Sequence, residues 1–201
     1  MFWYIFVAIV ATASAQTDET YRAIAYLRSE TITGNVTFTE TEDGVRVQGW
    51  IHGLDAGNYG FHVHELGDIG DCLATGAHYN PDDVTHGARD NEVRHVGDLG
   101  NVRFEGEGVE AVAIFDYVDS VIALRGRNSI LGRSLVLHER EDDLGLTSHE
   151  DSLTTGNAGA RVACGVIGIL APNGPWNSAA RFVLTKSSLI LILSNVLANR
   201  N

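Results

Sequence analysis

The feature that most narrows the fold is a series of short runs in which apolar and polar residues alternate, each cut off by Gly, Asp or Asn. Tyr21 to Leu27, Asn35 to Thr39, Val45 to Ile51 and Tyr59 to His64 follow this pattern. It returns at Asp98 to Phe104, Val109 to Tyr117, Ser134 to Glu139 and Arg161 to Ile169. A period of two puts successive side chains on opposite faces, so each run reads as a strand with one face buried. About eight such strands, with no internal repeat and no long helix before residue 176, predict an all-β sandwich or barrel. Glu42-Asp43-Gly44 reads as a turn and Leu54 to Asn58 as a longer connection, so the first four strands are expected to form an antiparallel meander.

Between Glu65 and Val96 the alternation stops, and the chain fills with Gly, Asp, His and Asn; a second polar stretch runs from Glu141 to Gly159. Loops of that length inside a compact domain are usually functional or disordered. The formal charge of −12 argues against nucleic acid or an acidic membrane surface as the main partner, because an acidic surface repels polyphosphate. An anionic substrate would need a local positive site.

Residues 1–15 combine an apolar run, Phe2 to Val10, with small residues ending in Ala13-Ser14-Ala15, and read as a secretory signal peptide cut before Gln16. The alternative is a buried N-terminal strand or helix. In an oxidising compartment the two cysteines, Cys72 and Cys164, suggest one disulfide, the alternative being two separate buried thiols. Secretion would also make Asn35-Val36-Thr37 a glycosylation sequon.

Histidine is concentrated. His62-Val63-His64 closes a strand with both imidazoles on one face. His78, His86, His95 and Asp98 are spaced through and just past the first loop, and His138 follows on a later strand. Imidazole suits copper and zinc, and an added carboxylate suits tetrahedral zinc. His52 and His149 lie outside the pattern and read as solvated loop residues.

Four stretches carry a family resemblance: Gly60 to Glu65, Gly76 to Pro81, Arg94 to Asn101 and Gly156 to Gly165. Together they closely resemble the copper/zinc superoxide dismutases over roughly residues 20–170. The resemblance implies an eight-stranded antiparallel Greek-key β-barrel with two long functional loops, spanning residues 16–172. It implies copper on His62, His64, His78 and His138, zinc on His78, His86, His95 and Asp98, and His78 as the bridge. It gives Asp142 a role as the carboxylate that orients His62 and His86; without the resemblance Asp142 would be one more acid in a solvated run. Arg161 would hold the superoxide anion beside copper, Thr155 would form the other lip of the channel, and Cys72 and Cys164 would form the structural bridge. A homodimer is implied as well, with Gly67, Leu131, Gly132 and Ile169 at contact positions and Leu66 where relatives often carry an aromatic residue. Where the family's electrostatic loop often has a lysine, this chain has Thr154, and Lys186 is its only lysine. Steering would then fall to Arg161, aided by Arg140.

The rival reading is a catalytically silent extracellular copper- and zinc-binding module; a copper-delivery protein is a third. Residues 173–201 form a tail beyond the resemblance. Asn177-Ser178-Ala179, a short spacer and the apolar run Leu189 to Leu193 resemble a signal for a glycosylphosphatidylinositol anchor. The alternative is an amphipathic helix packed on the dimer or lying on a membrane.

Overall fold

In the computed structural model, which describes residues 20–174 and 176, the alternating runs form nine antiparallel strands. They are β1 (Arg22–Arg28), β2 (Thr33–Thr41), β3 (Gly44–His52), β4 (Gly57–His64), β5 (Asp98–Glu105), β6 (Val112–Asp119), β7 (Ser134–His138), β8 (Arg161–Val166) and β9 (Gly168–Ala171). One short helical turn, α1 (Ser152–Thr155), lies within the second long loop. The strand order β2-β3-β6-β5-β4-β7-β8-β1 closes on itself through the β1–β2 pairing, giving an eight-stranded barrel.

The meander expected of the first four strands holds only for three. β3 pairs along its length with β6, from Val45 opposite Asp119 to His52 opposite Val112, and β4 crosses to lie between β5 and β7. Gly53 makes the crossing possible: at φ +108° it lies so close to the Thr31 carbonyl that a side chain there has no room. Crossings of this kind are what distinguish a Greek key from a meander.

The run from Arg161 to Ile169 is divided at Ile167. Arg28 faces Cys164 and Ile24 faces Gly168 in one continuous register along β1, so β8 and β9 line the same edge. At Ile167 the backbone turns instead to the segment before β7, donating to Arg133 O at 2.9 Å and accepting from Gly132 N at 2.9 Å. Likewise β6 starts at Val112, because Gly108–Glu110 coils into a 3₁₀ turn.

Closure is uneven. β5 and β6 share two residue pairs and β1 and β8 share one, so the barrel consists of two four-stranded halves, β1-β2-β3-β6 and β5-β4-β7-β8. Leu27, Phe38, Ile51, Phe61, Phe104, Leu135 and Leu137 fill the interior and are fully buried. An eight-stranded barrel is about wide enough for such side chains, each contributing roughly 1.5–3 kcal/mol of burial. Past β9 the Trp176 indole returns to Tyr21, with ring centroids 4.9 Å apart, and its Nε1 donates to Pro172 O at 3.0 Å. Core packing therefore extends to Trp176.

Burial on both faces is most extended in two strands. The last five residues of β4 and all of β7 are buried, because their outer faces lie beneath the two long loops. The first loop is zipped onto β4 by backbone bonds: Val63 N to Gly97 O at 2.8 Å, Tyr79 N to Val63 O at 2.8 Å and Glu65 N to Ala77 O at 2.9 Å. A disulfide between Cys72 and Cys164, Cα atoms 5.7 Å apart, ties the same loop to β8 across 92 residues of sequence. Non-reducing peptide mapping should recover both cysteines in one linked species. Cys164→Ser should lower the unfolding free energy by roughly 4–5 kcal/mol, the loop-closure entropy released to the unfolded chain. Recovery of two free thiols would contradict the pairing.

Candidate metal centre

Strand periodicity decides where the first ligands go. In β4, Phe61 and Val63 face the core, so His62 and His64 face outward under the loops, and both are buried. His138 ends β7, the strand paired directly with β4, at a bulge where it faces Arg161. The zipped first loop brings His78 beside His64 as an isolated antiparallel bridge. Asp98 opens β5 opposite His62, after a bulge.

These elements gather two overlapping groups of buried ligand atoms, His62, His64, His78 and His138 in one and His78, His86, His95 and Asp98 in the other. In the second, Asp98 Oδ1 lies 2.8 Å from His78 Nδ1, 3.0 Å from His86 Nδ1 and 3.1 Å from His95 Nδ1. His95 Nδ1 is 3.5 Å from His78 Nδ1. A tetrahedron with metal–ligand bonds of about 2.0 Å has edges of about 3.3 Å, so this N₃O set has the dimensions of a zinc site. The first group offers imidazoles alone, with His64 Nε2 and His138 Nε2 3.3 Å apart, a donor set suited to copper.

The protein's own hydrogen bonds leave three of the ligand-group nitrogens free. His62 Nδ1, His78 Nε2 and His86 Nδ1 are buried without a hydrogen-bond partner; the close approach of His86 Nδ1 to Asp98 lacks hydrogen-bond alignment. Such atoms are costly to bury unless a ligand meets them. The opposite ring nitrogens are anchored. His62 Nε2 and His86 Nε2 bond the two oxygens of Asp142 at 2.9 and 2.8 Å, and His64 Nδ1 donates to Gly76 O at 2.8 Å. His138 Nδ1 lies 3.1 Å from Gly159 O, and His95 Nε2 lies 3.1 Å from Val84 O. Partners of this kind fix ring orientation and tautomer.

Electrostatics agree with the donor geometry. Burial, reinforced by neighbouring imidazoles, holds His64 and His78 well below the ordinary histidine range and takes His138 down to about 3. These rings are neutral at pH 7, the form that binds metal. His86 is opposite: burial lowers it, but Asp142 and Asp98 on either side prevail and raise it to about 9. A cation bound there takes the place of that proton. Burial opposes ionisation of Asp98 and Asp142, yet the imidazole hydrogen bonds hold both well below the usual carboxylate range.

Arg161 starts β8 beside His138, and its Nη1 donates to Cys72 O and Leu73 O at 3.0 Å and to Thr75 Oγ1 at 2.9 Å. Thr75 is absent from the sequence-based site. Its fully buried hydroxyl also lies 3.3 Å from His64 Nδ1 and donates to Cys72 O at 2.8 Å, joining the arginine to a ligand of the four-histidine group. Only its place between Cys72 and His78 could have marked it. Thr155, expected at the channel lip, is exposed at the end of α1, its hydroxyl on Asp151 O at 3.3 Å. The two loops are joined where His86 N donates to Leu153 O at 2.9 Å. His52 and His149 are exposed, as expected, but His52 ends β3 and does not lie in a loop.

Comparison with known proteins agrees with this geometry. The family model for copper/zinc superoxide dismutase matches residues 32–167. An extracellular copper/zinc superoxide dismutase of Drosophila melanogaster is 50% identical over 173 residues, covering 81% of this chain and 93% of its own. The crystal structure of the clock protein EA4 superimposes with a TM-score of 0.72 at 53% identity, covering 79% of this chain and all of that one. The fold, the paired ligand groups and the extent of these matches lead to one assignment: the chain belongs to the copper/zinc superoxide dismutase family.

Proposed function

We propose that His62, His64, His78 and His138 hold copper, that His78, His86, His95 and Asp98 hold zinc, and that the chain disproportionates superoxide outside the cell. The observation that carries this reading is His78, common to both groups. Its Nδ1 is turned to Asp98 at 2.8 Å while its Nε2 is buried without a protein partner. When bound, copper supplies one-electron exchange, which zinc cannot, and zinc supplies a fixed positive charge.

Two superoxide ions and two protons give one oxygen molecule and one hydrogen peroxide. The protein must therefore draw in an anion, orient it and furnish protons. Arg161 serves the first two needs: its hydrogen-bond partners are neutral oxygens, so its charge is left for an incoming anion beside His138. Its pinned guanidinium gives the anion a fixed place, with Thr155 on the opposite lip. His78 Nε2 is the atom that holds and delivers a proton. Asp142 keeps His62 and His86 aimed. A catalytically silent metal-binding module is not favoured, since the four-histidine group and Arg161 are both in place.

His64 lies outside the zinc group, so His64→Ala should lose copper and dismutase turnover while keeping zinc, as read by metal analysis and superoxide consumption on one sample. Arg161→Ile should keep both metals but slow turnover by roughly tenfold or more at low salt and flatten its dependence on ionic strength. Full turnover in a copper-free sample would overturn the assignment.

The assembly is read as a homodimer. Leu66, Val166 and Ile169 are exposed, Gly67 packs on the Gly132 carbonyl, and Arg133 Nη1 holds Glu65 O at 2.7 Å. Sedimentation should give a dimer that Leu66→Glu dissociates; a monomeric native protein would reject this. Among the described residues no helix is long and apolar enough to cross a membrane. The signal peptide at 1–15 and the anchor signal at Asn177 to Leu193 lie outside the described residues. The anchor reading holds some of the protein at the cell surface, and phosphatidylinositol-specific phospholipase C should release it. Soluble protein still carrying Ser187 to Asn201 would reject the anchor.

A further inference from the structure

The outer face of the β1-β2-β3-β6 half carries a row of side chains in direct cross-strand register. Tyr26 faces Asn35, Asn35 faces Trp50, and Trp50 faces Ile114. The three large members are 53%, 38% and 77% exposed, whereas their chain neighbours Ala25, Ile51 and Ala113 are buried. Two residues along, the face turns polar: Arg46 grips Asp116 through two bonds of 2.7 and 2.6 Å, and Gln48 adds a third at 3.0 Å. The apolar row is therefore a local interruption of a polar surface, and its centre is the asparagine of the Asn35-Val36-Thr37 sequon.

We propose that Asn35 carries an N-linked glycan whose first sugars lie over Tyr26, Trp50 and Ile114. Asn35 and Thr37 stand on the same outer face, both half-exposed, with Val36 turned into the core. Directly opposed residues have Cβ atoms about 4.5–5.5 Å apart, so a sugar on Asn35 Nδ2 emerges between two aromatic rings. The apolar C–H faces of a pyranose stack on such rings, and aromatic side chains favour surfaces where one partner is apolar and the other wet. An apolar row of this kind marks an interaction site when left bare.

The modification rests on the extracellular placement in the preceding reading, not on the dismutase chemistry. In it, Asn35 Nδ2 attacks the anomeric carbon of a lipid-linked oligosaccharide pyrophosphate. A C–N bond forms, the C–O bond to pyrophosphate breaks, one amide proton is lost, and the lipid pyrophosphate leaves.

The test uses full-length protein secreted from animal cells, with three forms compared: native, Thr37→Ala, which destroys the sequon, and Thr37→Ser, which keeps it. Peptide mass spectrometry should find a hexosamine-containing glycan on Asn35 in the native and Thr37→Ser proteins and none in Thr37→Ala. Acrylamide quenching of Trp50 fluorescence, isolated by subtraction of a Trp50→Phe background, should rise in Thr37→Ala and return to native in Thr37→Ser. Copper content, zinc content and turnover should be equal in all three, so that a failure of this proposal is separate from a failure of the dismutase assignment. An unmodified Asn35 in the secreted protein overturns the proposal. So does a glycosylated Asn35 whose loss leaves Trp50 quenching unchanged.

Discussion

The arrangement depends on one carboxylate. Asp142 receives His62 on one oxygen and His86 on the other, joining the four-histidine group to the N₃O group through a contact outside both. It can do so because it is itself held: its backbone exchanges two hydrogen bonds with the Asn101 side chain, at 2.8 and 2.9 Å, and its Oδ1 accepts from Leu144 N at 2.7 Å. Asn101 belongs to β5, so the second loop is registered against the barrel at the residue that orients the ligands. Gly156 completes the fit, since any side chain there would collide with both Asp142 and His86.

A second buried charge performs the equivalent task for the first loop. Arg94 reaches both carboxylate oxygens of Asp119 at 2.8 Å and also donates to the carbonyl of Asp98. Asp119 Oδ1 in turn caps Val121 N and Ile122 N at 2.9 Å where the chain leaves β6. Removing one member of such a pair strands the other in the interior, at a cost of about 3–5 kcal/mol. The N₃O group is thus positioned by a bond network that reaches across to the opposite half of the barrel.

What could be read from the sequence follows from what each signal encodes. Period-two alternation records which face is buried, so the strands were visible, and His62 and His64 could be placed on one face. Alternation does not record which strand lies beside which, and the β3 to β4 crossing was invisible because Leu54 to Asn58 carries the same turn residues as a hairpin. Ile167 escaped notice because breaking the backbone pairing leaves its side chain as buried as before. The ligand set came from histidine clustering together with the family motifs. Asp142 stands beside Glu141 and Asp143, and only the motifs distinguished it from a solvated acid. Arg94 enters the sequence reading only as the edge of a family motif and Asp119 not at all, because a charged residue gives no sign that a partner distant in sequence will bury it.

The narrow seams of the barrel separate two kinds of surface. Every ligand atom, Arg161 and both ends of the disulfide belong to β4, β5, β7, β8 or the loops over them. The β1-β2-β3-β6 half contributes its inner face to the core and none of those groups, so its outer face is chemically idle in catalysis. Sequence change there can alter solubility, adhesion or clearance from extracellular fluid while the redox centre keeps its geometry. One barrel can in this way serve different tissues and body fluids with the same chemistry, by exchanging side chains on a single sheet.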